Sequence, residues 1–383
     1  MSASVLPTPR LQHIRNATPF RHLQFDKMGK GRRFYDVVVV CASFALSSGR
    51  LQPLLQHRGP VLADEYHDPQ QPIVSSLRRA TDLVLVKPGT DVYVSGDAHS
   101  LGGKPMREWP LMLRVEREGR VCVDKRLRLT GPRCWVKGLL GRSLTEAAPT
   151  TVVPLRYELA YGGWWFDRND AADATPRMFG ANPSGSGCFG NTDARGQAPA
   201  RYEQDDVVAA PQIEHLDQPI RAANKAYRVA GLGPVARHWQ PRPRFAGTYD
   251  SAWFEQFERE PIPDYPADFD YRFFQYAPED QVVSDLLIGD ESLQLAGCFA
   301  DLPAVDARLP HVWIEAVCRT GDARQASEAL KLDTVQVDLD RREVHLTWRL
   351  TLDQTYDIVS VELFDRLIAN GRRTRAAFRG VRS

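Results

Sequence analysis

Five carboxylates in this sequence stand near aromatic residues or glycines: Glu158, Asp167, Asp250, Asp280 and Glu291. Two such groups flanking a sugar, with Trp and Tyr rings as platforms, would hydrolyse a glycosidic bond. The stretches "ELAYGGWWFD" and "GTYDSAWF", which carry Glu158 and Asp250, have that composition. A carbohydrate-active hydrolase using Glu158 or Asp250 is therefore one reading of the chain. The competing reading is structural, because Asp side chains in such loops accept backbone N–H bonds and hold turns. Other chemistries find less support. There is no G-x-S-x-G and no H-E-x-x-H, and the nine histidines are scattered as hydrogen-bonded structural residues would be. The six cysteines make no C-x-x-C pair; eleven residues separate Cys122 from Cys134, with no histidine pair at finger spacing nearby. Gly185, Gly187 and Gly190 match G-x-G-x-x-G, but Pro183 precedes them and the turn-like "NTDARGQAP" follows, so the match reads as a plain loop. No metal, no cofactor and no catalytic set is expected.

The segment "RHWQPRPRFAGTYDSAWFEQF", Arg237 to Phe257, concentrates a different chemistry. Arg242 and Arg244 beside Trp239 and Phe245 suit stacking of guanidinium on rings, worth roughly 0.5–2 kcal/mol each. Trp, Tyr and Arg also dominate the energetic centres of protein–protein interfaces. Nucleic acid would use the same residue types, but Asp250, Glu255, Glu258 and Glu260 lie among them and oppose it. Partner-binding candidates are therefore Trp239, Arg242, Tyr249, Trp253, Phe273 and Phe274. The bland alternative is an aromatic core that staples this region to the rest of the fold.

The elements that position these residues read as mostly β. "RFYDVVVVCASFAL" is a strongly β-branched run. "LMLRVEREGRVCVDKRLRL" alternates with period two on either side of Glu118-Gly119 and predicts a hairpin; "TVQVDLDRREVHLTWRL" predicts a second around Asp340-Arg341-Arg342. "DLVLVKPGTDVYVSGDAH" predicts two short strands around Pro88-Gly89. Helical signals are few. "SAWFEQFERE" predicts a short helix with Ser251 as its N-cap and Phe254 and Phe257 three apart; "PEDQVVSDLLIGDE" and "IVSVELFDRLIANG" predict two more, the latter closed by Gly371. The fold expected is two packed β-sandwich or barrel-like modules with a long aromatic, Gly/Pro-rich loop segment and few short helices. The expected division is 1–150 as an N-terminal β-rich module, 151–310 as an irregular segment packed on the β-core, and 311–383 as a C-terminal hairpin module with a terminal helix. Long insertions on one continuous β-core describe the middle equally well.

Composition sets the outer bounds. The 49 Lys and Arg nearly balance 48 Asp and Glu, a net charge of +1, where a sequence-independent nucleic-acid binder carries a strongly basic balance. The basic C-terminal stretch with Arg372, Arg373, Arg375, Arg379 and Arg382 reads as a solvated tail. No apolar run reaches the about 18 residues of a membrane span, and no signal-peptide core stands at the N-terminus. A cytoplasmic protein with reduced thiols, binding neither membrane nor nucleic acid, is expected.

Several stretches together resemble a bacterial domain-of-unknown-function family, number 2169, whose genes lie beside type VI secretion spike and effector genes. The resemblance rests on "NATPF" from Asn16, "TDVYVSGDA" from Thr90, "KRLRLTGPRCW" from Lys125, "PLRYELAYGG" from Pro154, "NPSGSG" from Asn182 and "GLGPVARHWQPR" from Gly231. It continues through "GTYDSAW" from Gly247, "DFDYRFFQYAPEDQ" from Asp268, "GDESLQL" from Gly289 and "LDTVQVDLDRREVHLTWR" from Leu332. What the resemblance implies is a non-enzymatic adaptor or chaperone that binds a protein effector (a toxin) and spike-tip proteins. No catalytic residues carry over from it. A passive structural component of the secretion apparatus is the remaining alternative.

Overall fold

The structure is a computed structural model and describes residues 11–139, 141–166, 176–189, 206–260 and 262–367. Its main strands in chain order are β1 (His13–Asn16), β2 (Arg21–Met28), β3 (Phe34–Ala45), β4 (Thr90–Ser95), β5 (Glu108–Arg117) and β6 (Arg120–Thr130). They continue as β7 (Val282–Val283), β8 (Ser292–Ala296), β9 (Ala304–Arg308), β10 (Val312–Thr320), β11 (Gln325–Ala329), β12 (Lys331–Asp338), β13 (Glu343–Asp353) and β14 (Ile358–Leu367). One α-helix, α1 (Ser251–Arg259), is present among the described residues. The fold is mostly β, as the alternating runs predict.

Three sheets carry the core. The largest has the order β2–β3–β13–β12–β4–β7, with β12 and β4 parallel, so strands from both ends of the sequence lie side by side. A second contains β6–β5–β8–β9, and a third has the order β1–β14–β10–β11. One apolar cluster joins all three: Val38, Leu346 and Trp348 from the first, Leu111, Leu127 and Leu293 from the second, Ile314 and Leu363 from the third. β3 is buried on both faces, which is why its sequence reads as a continuous apolar run rather than an alternation.

Both predicted hairpins form. β5 pairs with β6 through a two-residue turn in which Glu118 (φ 48°) and Gly119 (φ 80°) both take positive φ, the turn whose twist matches the strands it joins. β12 pairs with β13, and Arg342 closes that turn at φ 54°.

Three expectations need correction. The stretch 82–89 is not a strand. Its carbonyls at Asp82, Val84 and Leu85 accept from the side chains of Arg349 and Thr351, and are thus taken by side chains instead of a ladder. "PEDQVVSDLLIGDE" is a 3-10 turn, Glu279–Gln281, followed by β7; Leu286 (φ 47°), Gly289 (φ 91°) and Asp290 (φ 72°) take backbone conformations no helix admits. "IVSVELFDRL" is strand β14, where Val361 and Leu363 point inward with period two and the β-branched residues gain a ladder with β10. Gly371 and the C-terminal arginines lie outside the described residues.

Candidate functional site

The segment from Arg237 to Phe274 divides into an inner half and an outer half. Trp239 begins the inner half. Its side chain is fully buried among Tyr93, Tyr157, Val235 and Tyr276, with the Tyr157 ring edge-on at 5.6 Å. Arg242 opens a 3-10 turn, Arg242–Phe245, and its guanidinium is buried as well. It donates from Nη1 to the Val235 carbonyl at 2.8 Å, and from Nε and Nη2 to the Phe273 carbonyl at 3.1 and 3.0 Å. Burial pushes its pKa down to about 10, against the fields of Asp64 and Asp91 that hold it up. Phe274, on the 3-10 turn Tyr271–Phe274, packs with Phe269, Val37, Val39 and Leu85. Phe273 is half-buried, its ring 5.9 Å from those of Phe269 and Phe274 and its carbonyl fixed by Arg242. Trp239, Arg242 and Phe274 are therefore core residues and not exposed anchors. Apolar burial takes the rings, and two carbonyls, those of Val235 and Phe273, take the guanidinium through three hydrogen bonds.

The outer half is α1 and its approach. Asp250, not Ser251, is the N-cap: its Oδ1 accepts from the Trp253 N–H at 2.9 Å, which satisfies one of the free N–H groups of the first turn. The pair Glu255–Arg259 adds an i,i+4 bridge at 3.1 Å. Two contacts hold the helix to the body, Trp253 Nε1 donating to the Asp264 carbonyl at 2.9 Å and Arg32 pairing with Glu260 at 2.8 Å. No residue of α1 is buried. Its apolar face is nonetheless aromatic: Trp253 touches Tyr249 at 4.7 Å, Phe254 at 5.2 Å and Phe257 at 5.4 Å between ring centroids. Tyr249, Phe254 and Phe257 keep 46%, 53% and 49% of their surface in solvent. Of the six sequence candidates, the structure thus brings only Tyr249 and Trp253 into one outward cluster. It adds Phe254 and Phe257, whose i,i+3 spacing is the signal that marks them. Nearby, Arg244 and Arg272 lie over the Phe245 ring at 4.7 and 4.5 Å.

The carboxylates weighed as catalysts hold the fold together. Glu158 accepts from Ser76 N at 2.8 Å and from Ser76 Oγ at 2.6 Å. Asp250 caps α1. Asp280 takes both its bonds, at 2.8 Å, from Lys125 Nζ, and Glu291 accepts from Arg117 and from the Ile288 N–H. Asp167 lies outside the described residues. No helix among the described residues is long and apolar enough to cross a membrane.

A family model described as "Uncharacterized protein conserved in bacteria (DUF2169)" matches residues 31–349. No curated protein and no solved structure matches the chain.

Proposed function

We propose, from the premise that the chain belongs to the bacterial DUF2169 family, that it is a non-enzymatic adaptor or chaperone which binds a type VI secretion effector and helps load it onto the spike complex. The observation that carries this reading is the aromatic cluster at α1, where Tyr249, just before the helix, and Phe254 and Phe257 on it all pack against the Trp253 ring while no residue of the helix is buried. Soluble chains hide such faces unless something covers them. Burying the remaining half of each exposed ring is worth about 1 kcal/mol apiece. That is well short of the about 8 kcal/mol of a micromolar complex, so the patch is an anchor within a wider interface. The adaptor's work is shielding: it covers apolar surface on the effector, keeps it soluble, and releases it to the spike.

The test is co-purification of the tagged chain with the product of the neighbouring effector gene, alongside a secretion assay. Retention of the effector, with its solubility and export lost when the chain is deleted, is the expected result. An effector that stays soluble and is exported normally without the chain overturns the reading.

A further inference from the structure

The aromatic cluster at α1 is ringed by negative charge. Of the nine residues of α1, eight are exposed and Trp253 is half-buried. From Asp250 to Asp270 the sequence holds seven acids and one base, Arg259. Three of the acids have a cation: Glu255 pairs with Arg259, Glu260 with Arg32 and Asp270 with Arg272. The other four, Asp250, Glu258, Asp264 and Asp268, make no ion pair among the described residues. Their hydrogen bonds come from uncharged donors, which orient a carboxylate without cancelling its charge. Asp250 accepts from the Trp253 N–H, Asp264 from the N–H groups of Gly31, Arg32 and Tyr265, and Asp268 from Thr248 N and Oγ1. Lys30, whose Nζ donates to the Ala267 and Phe269 carbonyls, offsets one of the four.

These acids stand around the rings. Asp250 follows Tyr249, and Glu258 lies one turn beyond Phe254. The Asp264 carbonyl holds the Trp253 indole, and Asp268 holds Thr248, the neighbour of Tyr249. A partner for this surface must therefore bring apolar side chains to the rings and positive charge to their rim. A second copy of the same face would set the acids against themselves, and anionic lipid or nucleic acid would be repelled in the same way. The backbone form of the partner follows from α1 as well. The N–H and C=O groups of a helix are used within it, so α1 offers no ladder to an extended chain. A second helix brings its backbone already satisfied and can pack its side chains along the ridge formed by Phe254 and Phe257. The nine residues of α1 span about 13 Å, which a partner helix of about three turns covers.

We infer that α1 and its acidic rim dock a basic amphipathic helix of the partner protein, with aliphatic side chains against Tyr249, Phe254 and Phe257 and Lys or Arg facing Glu258 and the acids beside it. The inference rests on the adaptor reading for who the partner is, and on the charge and shape of α1 for what its docking segment must be.

The probe is the peptide acetyl-Lys-Leu-Lys-Lys-Leu-Leu-Lys-Lys-Leu-Lys-Lys-Leu-Leu-Lys-amide, fluorescein-labelled and titrated against the full chain. Saturable binding is expected, with amide exchange slowed in Ser251–Arg259. The isomer Lys-Leu-Lys-Leu-Lys-Leu-Lys-Lys-Leu-Lys-Leu-Lys-Leu-Lys has the same composition and charge but alternates with period two, and is expected to bind at least about tenfold more weakly. Phe254→Ser with Phe257→Ser is expected to cost about tenfold or more. Glu258→Lys is expected to cost about fivefold; a lysine near the C-terminal end of α1 suits the helix dipole, so this loss is not a loss of the helix. No binding at about 1 mM, binding of the isomer within about threefold, unchanged affinity in either protein variant, or equal binding of a peptide with Glu in place of every Lys overturns the inference. The adaptor reading fails separately. Peptide binding at α1 together with normal effector export in cells lacking the chain sinks that reading and supports this inference; an effector retained by a chain that does not bind the peptide does the reverse.

Discussion

Lys87 Nζ lies 2.9 Å from the Asp91 carboxylate, and neither side chain has any exposure to solvent. The ammonium also donates to Thr334 Oγ1 at 2.7 Å and sits 3.5 Å above the Tyr276 ring. Asp91 accepts further from Gln275 Nε2 and from the N–H groups of Tyr276 and Ala277. The pair thus pins the loop after Phe274 to the start of β4. Removing one partner leaves an uncompensated buried charge, so Lys87→Met is expected to cost about 3–5 kcal/mol in urea unfolding. Adding Asp91→Asn restores at least about 1 kcal/mol, because that charge is then gone. A single-variant loss below about 1 kcal/mol would mean that the acceptors around Asp91 suffice without the lysine.

The inner and outer halves of the aromatic segment respond oppositely to truncation. Trp239→Ala opens a cavity in a closed core and is expected to cost about 3–5 kcal/mol. Trp239→Phe costs much less, since the indole N–H has no acceptor among the described residues. Phe254→Ala with Phe257→Ala leaves the melting temperature within about 2 °C and weakens effector binding about tenfold. Thermal unfolding and an affinity measurement on the same preparations check both. Stability loss from the outer pair, or binding loss without stability loss from Trp239→Ala, would reverse the division drawn between the halves.

Local signals were legible and long-range ones were not. The two hairpins could be read because period-two alternation and turn residues act over a dozen positions. α1 was legible too, apart from its cap: Asp250 and Ser251 are both good N-cap residues, and only geometry distinguishes them. By contrast, Trp239 and Trp253 sit in one run of uniform composition, yet the first is in a core and the second on the surface. What separates them is the arrival of Tyr93 from β4 and of Tyr157 from the distant 3-10 turn Tyr157–Leu159. Lys87 and Thr334 meet across 247 positions, and no spacing rule reaches that far. β14 read as a helix because its sequence fits either period, and the neighbouring β10 decided the matter.

Asp250 gives a test confined to the outer half. Asp250→Ala removes the bond to the Trp253 N–H and is expected to lower stability by about 1 kcal/mol, and Asp250→Asn or Asp250→Ser by a few tenths. Because α1 has no buried residue, the effect is local. Amide exchange should quicken in Ser251–Arg259 while β5 and β13 keep their protection. Effector affinity should fall with helix order. Unchanged exchange in α1 after Asp250→Ala would show that the contacts of Trp253 and Glu260 hold the helix without its cap.

His345 supplies the pH dependence. Its Nδ1 lies 2.8 Å from Ser43 Oγ, and burial, followed by the fields of Arg58, Arg79 and Arg341, pushes its pKa down to about 3. The unfolded value is near 6.5. Below that pH the unfolded chain binds a proton that the folded one refuses, so this contribution is whole above about pH 6.5 and is lost as pH falls, by at most about 1.4 kcal/mol per unit. Asp36 works in the other direction. Burial and then Asp26 raise it to about 6, so its contribution is present below the usual carboxylate value and fades as pH rises through 6. Asp36 is common to wild type and His345→Gln and cancels when the two are compared. Unfolding free energies at pH 7 and pH 5 should therefore show wild type losing about 2 kcal/mol more than His345→Gln across that interval. Parallel losses in the two proteins would place the acid sensitivity on other groups, and a larger loss in the variant would mean that the folded state accepts the proton on His345.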